Sequence, residues 1–163
     1  MSYKDEYSNR KSYGNESEEV FKKFCRDQKI DYTNFGVEPY LEVKDITYKH
    51  PEYYGMDNRL KKQPDYIIKW KEEFKFIECK ASGVDENMEY VLRLKEQDIN
   101  GYAYWNIFNP VIIFISYNFN KSYILISLHT IIAEMKKVDQ QIYENNNQKY
   151  RTLYINQLLK HNL

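Results

Sequence analysis

Two charged residues interrupt an apolar stretch near the middle of the chain. The segment FKFIECKAS, residues 74–82, has the composition of a buried strand, yet it contains Glu78 and Lys80. Because side chains alternate along a strand, these two charges point to the same face. An unpaired carboxylate or ammonium is costly to bury, so the sequence predicts a partner for each of them.

A second acid belongs to the preceding strand. The segment PDYIIKW contains Asp65 at its start, and a tight connection near residues 71–72 predicts that it runs antiparallel to the charged strand. The start of the first strand then lies beside the end of the second. We therefore expect Asp65 to lie next to Glu78 and Lys80, with two carboxylates and one amine at one end of a sheet.

Two neighbouring carboxylates repel each other unless a cation lies between them or one is protonated. Oxygen ligands favour Mg²⁺ or Mn²⁺, and the backbone carbonyl of Cys79 would supply a further oxygen. A bound ion lowers the pKa of a water and stabilises charge on a phosphate. Lys80 would orient or deprotonate that water, or neutralise the transition state. A plain structural salt bridge between Glu78 and Lys80 is the alternative that these residues leave open.

The spacing of these residues resembles a known family signature. Pro64-Asp65, twelve intervening residues and then Glu78-Cys79-Lys80 resemble the motif of the PD-(D/E)XK nuclease superfamily. The surrounding order of elements, from about Asn15 to Tyr117, is similar to the αβββαβ core of that restriction-endonuclease-like fold. The resemblance implies a Mg²⁺-dependent nuclease, with Mn²⁺ able to substitute, and it implies that Asp65 and Glu78 are metal ligands and Lys80 is catalytic.

Members of this family often carry a glutamate on the first helix that joins the metal site. Glu18 fits that register best, because apolar residues follow it at helical spacing, whereas Glu16 and Glu19 are less well phased. An acid in the first turn of a helix also interacts favourably with the helix dipole, which is the alternative role for Glu18.

Some members place a Gln or Lys on the helix after the motif strand, and Lys95 and Gln97 occupy that place here. The pattern of Gln, three residues and Tyr is not matched, since Tyr102 lies five residues after Gln97. This departure argues against a RecB-type exonuclease.

A local basic segment is the predicted contact for a nucleic-acid backbone. The net charge is zero, but residues 58–71 are rich in Lys and Arg. Arg59, Lys61 and Lys62 are predicted to bind phosphates, together with Lys95 and Gln97. Tyr53 and Tyr54, in the preceding loop, are further candidates. A solvated charged face is the alternative for the basic residues, and other tyrosines such as Tyr90, Tyr102 and Tyr117 are predicted to be core or half-buried.

Hydrophobic periodicity predicts an α/β or α+β fold, in which helices flank a central mixed sheet and the αβββαβ core is followed by a C-terminal hairpin and helix. The predicted elements are a helix from Asn15, an extended segment at 30–41, a long loop at 42–63, the two strands described above, a helix at 85–105, a hairpin at 111–128 and a last strand at 150–156.

The length of 163 residues predicts one nuclease-like domain at 14–163, preceded by a flexible arm at 1–13. No apolar run approaches the roughly 20 residues of a membrane helix, and no signal peptide is apparent. Cys25 and Cys79 lie in apolar patterns, so we expect reduced thiols in the cytoplasm.

Together these features predict a Mg²⁺-dependent DNA endonuclease, structure-specific in the manner of Holliday-junction or recombination nucleases. We expect a homodimer, because two-fold symmetry suits the cutting of two strands. The sequence leaves open two alternatives, a non-catalytic nucleic-acid-binding protein that retains the fold and an RNA nuclease.

Overall fold

Nine strands and five α-helices lie within the part of the chain that the computed structural model describes, residues 3–36, 57–144 and 146–163, with side chains described from Gly14 onward except that of Asn58. In chain order the elements are α1 (Tyr3–Gln28), β1 (Asp31–Asn34), α2 (Asn58–Lys61), β2 (Tyr66–Trp70), β3 (Glu73–Ala81), β4 (Gly83–Val84), β5 (Tyr90–Lys95), α3 (Glu96–Trp105), β6 (Val111–Tyr117), β7 (Ser122–Ser127), α4 (Leu128–Met135), β8 (Gln141–Ile142), β9 (Lys149–Tyr154), α5 (Ile155–Leu158) and a 3₁₀ turn (Leu159–His161).

The central sheet has five strands in the order β1-β2-β3-β6-β7. Strands β3 and β6 are parallel, and the other neighbouring pairs are antiparallel. The chain enters through α1 and crosses from β3 to β6 through α3, which confirms the predicted αβββαβ order. The predicted hairpin and helix follow as β6, β7 and α4. The protein is therefore a mixed α+β fold with helices flanking a central mixed sheet.

The hairpin between β2 and β3 fixes the register of the charged strand. Lys71 and Glu72 both have positive φ, 52° and 64°, which is the conformation of a two-residue type I′ turn. Trp70 pairs with Glu73 across it. The tight connection expected from the sequence is confirmed, and its twist suits the right-handed twist of the two strands.

Both faces of β3 are covered, which explains its nearly continuous apolar sequence. On one face Ile77 and Cys79 pack with Phe21, Phe24 and Cys25 of α1. On the other face the apolar core is formed with α3, α4 and the second sheet. Buried on both sides, β3 is a central strand, as its composition indicated.

A second sheet of four strands, in the order β4-β5-β9-β8, was not foreseen. The helix predicted for 85–105 is wrong in its first half, because Tyr90–Lys95 is the strand β5. Met88, counted in the helical stripe, is exposed at 75% with a φ of 61°. Leu92 and Leu94 are buried, and β5 pairs along its length with β9, so the distant strand outweighs the local helical spacing.

Several boundaries differ from the predictions. Helix α1 begins at Tyr3 rather than at Asn15, while the division into an arm at 1–13 and a domain at 14–163 stays a prediction. Residues 58–61 form α2 rather than a loop. Residues 42–56 of the predicted loop, with Tyr53 and Tyr54, lie outside the described residues.

Among the helices that the structure describes, none combines the length and the apolarity needed to cross a membrane. Cys25 and Cys79 are both free and buried. Burial raises the pKa of the Cys25 thiol to about 12, so it remains protonated at neutral pH.

Candidate active site

Asp65 and Glu78 lie opposite each other where β2 begins and β3 approaches its end. Tyr66 pairs with Ile77, so the next position outward sets Asp65 against Glu78. Residues directly opposite in an antiparallel pair share a face. The backbone N–H of Cys79 donates a hydrogen bond of 2.8 Å to Oδ2 of Asp65, which fixes this carboxylate at the sheet edge.

Glu78 is the most deeply buried acid of this group, with 5% of its surface exposed. Its Oε1 accepts hydrogen bonds from Nζ of Lys80 and from the hydroxyl of Tyr102, each at 2.5 Å. The Lys80 bond is the ion pair that the i, i+2 spacing on one strand permits. Tyr102, on α3, adds a neutral donor that holds the same oxygen from the helical side.

Asp65 is a carboxylate whose protonation is perturbed by its surroundings. Burial and the neighbouring Glu78 charge raise the pKa of Asp65 well above its usual value, although Lys80 and the amide of Cys79 act in the opposite direction. The folded protein therefore disfavours the doubly ionised pair when no further cation is present.

Lys80 stays charged in this environment. Burial alone would lower the pKa of Lys80. The negative charge of Glu78 raises it, with smaller contributions from Tyr102, Asp98 and Asp65, and the resulting pKa lies well above the usual value. A lysine that holds its proton is suited to neutralising developing negative charge rather than to removing a proton from water.

The charged groups line one cavity of about 320 Å³ at this edge of the sheet. The predicted site residues found in its wall are Glu18, Lys61, Lys62, Asp65, Glu78 and Lys80. The wall also contains Lys22, Asp98 and Tyr102. The side chain of Lys80 keeps 26% exposure, so solvent reaches this part of the cavity.

Of the three candidate glutamates on α1, Glu18 alone lines the cavity. Its Oε2 accepts a hydrogen bond of 2.5 Å from the hydroxyl of Tyr66. Glu16 instead accepts from the side-chain amide of Asn120, and Glu19 pairs with Lys22 on the helix surface. The placement agrees with the helical register expected from the sequence, while the role of Glu18 stays a prediction.

The donor set fits a hard divalent cation held by few protein groups. Among residues 14–36, 57–144 and 146–163, no group of three or more His, Cys, Asp or Glu side chains has metal-binding geometry. The two carboxylates that the motif resemblance assigns to the metal are those of Asp65 and Glu78. The N–H and C=O of a strand residue point to the same side, so the carbonyl of Cys79 also faces the start of β2. The Cys79 thiol lies on the opposite face of the sheet, against α1. Two carboxylates, a carbonyl and water form a set typical of Mg²⁺.

The part of the cavity wall that carries Lys61 and Lys62 packs against α3. Nζ of Lys62 pairs with Oδ1 of Asp98 at 2.6 Å, and the indole N–H of Trp105 donates to the carbonyl of Arg59 at 2.9 Å. Gly101 lies between these contacts, inside α3 rather than at its end. A Cβ at Gly101 would overlap Cβ of Lys62 and lie 2.9 Å from its Cγ. The missing side chain allows α2 to approach α3.

Three of the predicted phosphate-binding residues are not in the cavity wall. Arg59 is exposed, forms an ion pair of 2.7 Å with Asp57 and lies over the ring of Tyr104. Lys95 ends β5, and Gln97 is exposed on α3. Their contacts with nucleic acid stay predictions.

The sequence did not identify Asp98 and Tyr102 as members of the site. The two are four residues apart, so they share one face of α3. The helix predicted for 85–105 begins eleven residues too early, and its apolar stripe of Met88, Val91, Leu92 and Ile99 has only Ile99 on the observed helix. A helix beginning at Glu96 would have placed both residues toward β3.

No family model matches the chain, and no curated protein does. Among solved structures the chain is similar to D212, a nuclease from a fusselovirus, with a TM-score of 0.49 and 10% sequence identity. The similarity covers 90% of this chain and 82% of that one.

An Asp65→Asn variant tests whether the carboxylate pair is strained without metal. The proton on Asp65 stabilises the folded state below the ordinary pKa of 3.8, and this contribution is lost as the pH rises through the raised folded-state pKa. In metal-free buffer we expect the Tm of the wild type to fall relative to the variant as the pH rises above 3.8. Added Mn²⁺ should raise the Tm of the wild type but not that of Asp65→Asn.

Asp27→Asn, which removes an exposed acid paired with Lys23 on α1, is the control and should match the wild type both in the pH dependence of its Tm and in its stabilisation by Mn²⁺. Parallel pH curves for wild type and Asp65→Asn, or equal stabilisation of both by Mn²⁺, would contradict the strained pair.

A Gly101→Ala variant tests the close approach of α2 to α3. The added methyl group overlaps Lys62, so we expect a loss of about 1–3 kcal/mol in the free energy of unfolding, measured by urea denaturation. Gly14→Ala is the matched control, because a Cβ there meets nothing within 4 Å and alanine favours a helix. Stabilisation by both substitutions would show that the close approach is absent.

Proposed function

We propose that this protein is a divalent-metal-dependent nuclease that hydrolyses phosphodiester bonds in DNA, with Mg²⁺ as its metal and Mn²⁺ as a substitute. The observation that carries the proposal is the placement of Asp65 opposite Glu78, with Lys80 in the same cavity. These residues belong to the motif that resembles the PD-(D/E)XK superfamily, and membership of that superfamily is part of the proposal.

The charges around the cavity support a phosphate-containing substrate. Lys22, Lys61, Lys62 and Lys80 line the same wall as the acids. The acids would hold a cation, and the lysines would attract the phosphate backbone. Four acids, Glu18, Asp65, Glu78 and Asp98, line the same cavity, so attraction of the phosphate would depend on the bound cation together with these lysines.

Each residue has a distinct task in the proposed reaction. A bound Mg²⁺ would supply Lewis-acid polarisation of the phosphate and a water of lowered pKa. Asp65 and Glu78 would hold that ion, and the carbonyl of Cys79 faces the same place. Lys80, charged at neutral pH, would stabilise the negative charge that develops on the phosphate. Glu18 would act as a further acid at the rim.

Tyr102 would keep Glu78 in position. Burial, and then the charge of Glu78, raise the pKa of the Tyr102 hydroxyl well above its usual value, so it remains a donor. If Lys80 turns from Glu78 toward a phosphate, the Tyr102 hydrogen bond still holds Glu78 Oε1.

The finer features of the proposal concern substrate and assembly. The proposed enzyme is a structure-specific nuclease of the Holliday-junction or recombination type that acts as a homodimer in the cytoplasm, because two-fold symmetry suits the cutting of two strands. RNA is the alternative substrate, and it belongs in the same assay.

A non-catalytic nucleic-acid-binding protein is the second candidate, and one observation favours it. Lys80 and Tyr102 both bond to Glu78, which gives this buried carboxylate two donors without any ion. A buried network that is satisfied in this way needs no catalytic role. Such a protein would be indifferent to Mn²⁺ and would cleave nothing.

The decisive assay incubates the purified protein with Mg²⁺ or Mn²⁺ and supercoiled, linear, branched or single-stranded DNA, and with RNA. We expect DNA cleavage, lowered roughly 10²–10³-fold by Lys80→Ala because a preorganised positive charge is lost. Asp65→Asn should abolish both cleavage and Mn²⁺ binding.

Lys75→Ala is the matched control, since Lys75 lies on the same strand, pairs with Glu73 and is not in the cavity wall. The proposal fails if no substrate is cleaved with either ion, or if Lys80→Ala cleaves as fast as Lys75→Ala.

A further inference from the structure

The turn between β6 and β7 holds an exposed aromatic ring in a costly backbone conformation. Asn118, Phe119 and Asn120 have φ values of 51°, 54° and 61°, so three consecutive residues without glycine are left-handed. Asparagine tolerates this conformation, but phenylalanine does so at a cost. Phe119 is also 70% exposed, so burial does not offset that cost.

Side-chain contacts hold this turn in place. The amide oxygen of Asn118 accepts from the hydroxyl of Tyr90 at 2.9 Å. The side chain of Asn120 accepts from Ser116 at 2.6 Å and donates to Glu16 of α1 at 2.7 Å. Phe119 meets the ring of Tyr90 edge-on, with centroids 6.2 Å apart. A strained residue that is held in this way often serves a function.

A predominantly apolar groove of about 210 Å³ lies next to this turn. Tyr90, Tyr117, Ile155 and Leu159 line it, and Glu89 and Asn156 supply its polar groups. We call it the aromatic groove. Tyr90 and Tyr117 are half-buried, so each keeps part of its ring accessible. Because Phe119 contacts Tyr90, its exposed ring belongs to the same surface.

One residue of the aromatic groove, Tyr117, lies close to Lys80 in the central sheet. Lys80 pairs with Ile115 across the parallel strands, and Tyr117 lies two residues further along β6 on the same face. With strands about 4.8 Å apart and a rise of about 3.3 Å per residue, the Cα atoms of Lys80 and Tyr117 are about 8 Å apart. That separation is on the order of two stacked bases along a strand.

We propose that the aromatic groove, with Phe119 at its edge, binds an unpaired nucleobase of the strand whose phosphate lies at Lys80. The proposal deepens the proposed function, on which it rests, by naming what the nuclease recognises: DNA with a base that is free to leave its stack. A fully paired duplex does not present such a base, whereas bulges, branches and single strands do.

The chemistry of the groove suits a base better than it suits a peptide or a lipid. Aromatic rings stack on any nucleobase, which gives binding without sequence preference. Glu89 accepts hydrogen bonds from exocyclic amino groups, and the Asn156 amide both donates and accepts. Lys121, exposed in the same turn, adds positive charge for the backbone.

Binding is measured in EDTA, so that it does not depend on metal or cleavage. The probes are fluorescent duplexes with one unpaired adenine, with one unpaired abasic residue, or with neither. We expect the wild type to bind the adenine bulge about 5- to 150-fold more tightly than the abasic bulge, the range that stacking of one base supplies. Phe119→Ala and Tyr117→Leu should remove most of this preference.

Phe74→Ala is the matched control, because Phe74 is 58% exposed and lies near the opposite end of β3. It should keep the preference. Phe119→Gly accommodates the left-handed conformation, so it should lose the preference without a lower Tm. This separates recognition from folding.

The proposal is overturned if the wild type binds both bulges equally, or if Phe119→Ala weakens binding to both by the same factor. It is likewise overturned if the wild type binds none of the probes. Cleavage assays decide the proposed function separately: a bulge preference without any cleavage supports the base site and rejects the nuclease. Cleavage without the bulge preference supports the nuclease and rejects the base site.

Discussion

The arrangement of this protein depends on placing two carboxylates opposite each other at the edge of a buried sheet. The two-residue turn at Lys71 and Glu72 sets the register that brings Asp65 against Glu78. A shift of one residue would turn Asp65 to the face covered by α1, among aromatic side chains. The turn adopts its type I′ shape without glycine, so strand pairing and core packing must maintain it.

The surrounding elements supply the partners that such a site needs. Helix α3 brings Tyr102 to Glu78 and Asp98 to Lys62. Gly101 allows the segment at Lys62 to pack closely against this helix. Helix α1 brings Glu18 to the same cavity. The cost of a buried, partly frustrated charge cluster is carried by a large apolar core on both faces of the sheet. Such a balance is typical of functional sites, where stability is given up for chemistry.

The sequence predicted the central elements because several signals agreed there. The charged strand, its hairpin and the strand at Val111–Tyr117 combine apolar composition with clear turn signals, and the structure has them at the expected places. The convergence of Asp65, Glu78 and Lys80 followed from alternation and antiparallel pairing alone. Glu18 was implied by the family resemblance, and its helical phase distinguished it from Glu16 and Glu19.

Other features depend on distant partners and were not predictable in the same way. The segment Tyr90–Lys95 has helix-compatible spacing, and only pairing with β9, more than fifty residues later, makes it a strand. This error hid the face of α3 that carries Asp98 and Tyr102. The hairpin that contains Phe119 was predicted, but the left-handed conformation of Phe119 was not, because phenylalanine carries no sequence signal for a positive φ.

The most direct test is a crystal structure of the protein grown with Mn²⁺, with anomalous scattering used to locate the ion. The account predicts one strong anomalous peak in contact with carboxylate oxygens of both Asp65 and Glu78, in a cavity open to solvent. A structure at saturating Mn²⁺ that shows no anomalous peak between these carboxylates, with Lys80 and Tyr102 still bonded to Glu78, would contradict the account.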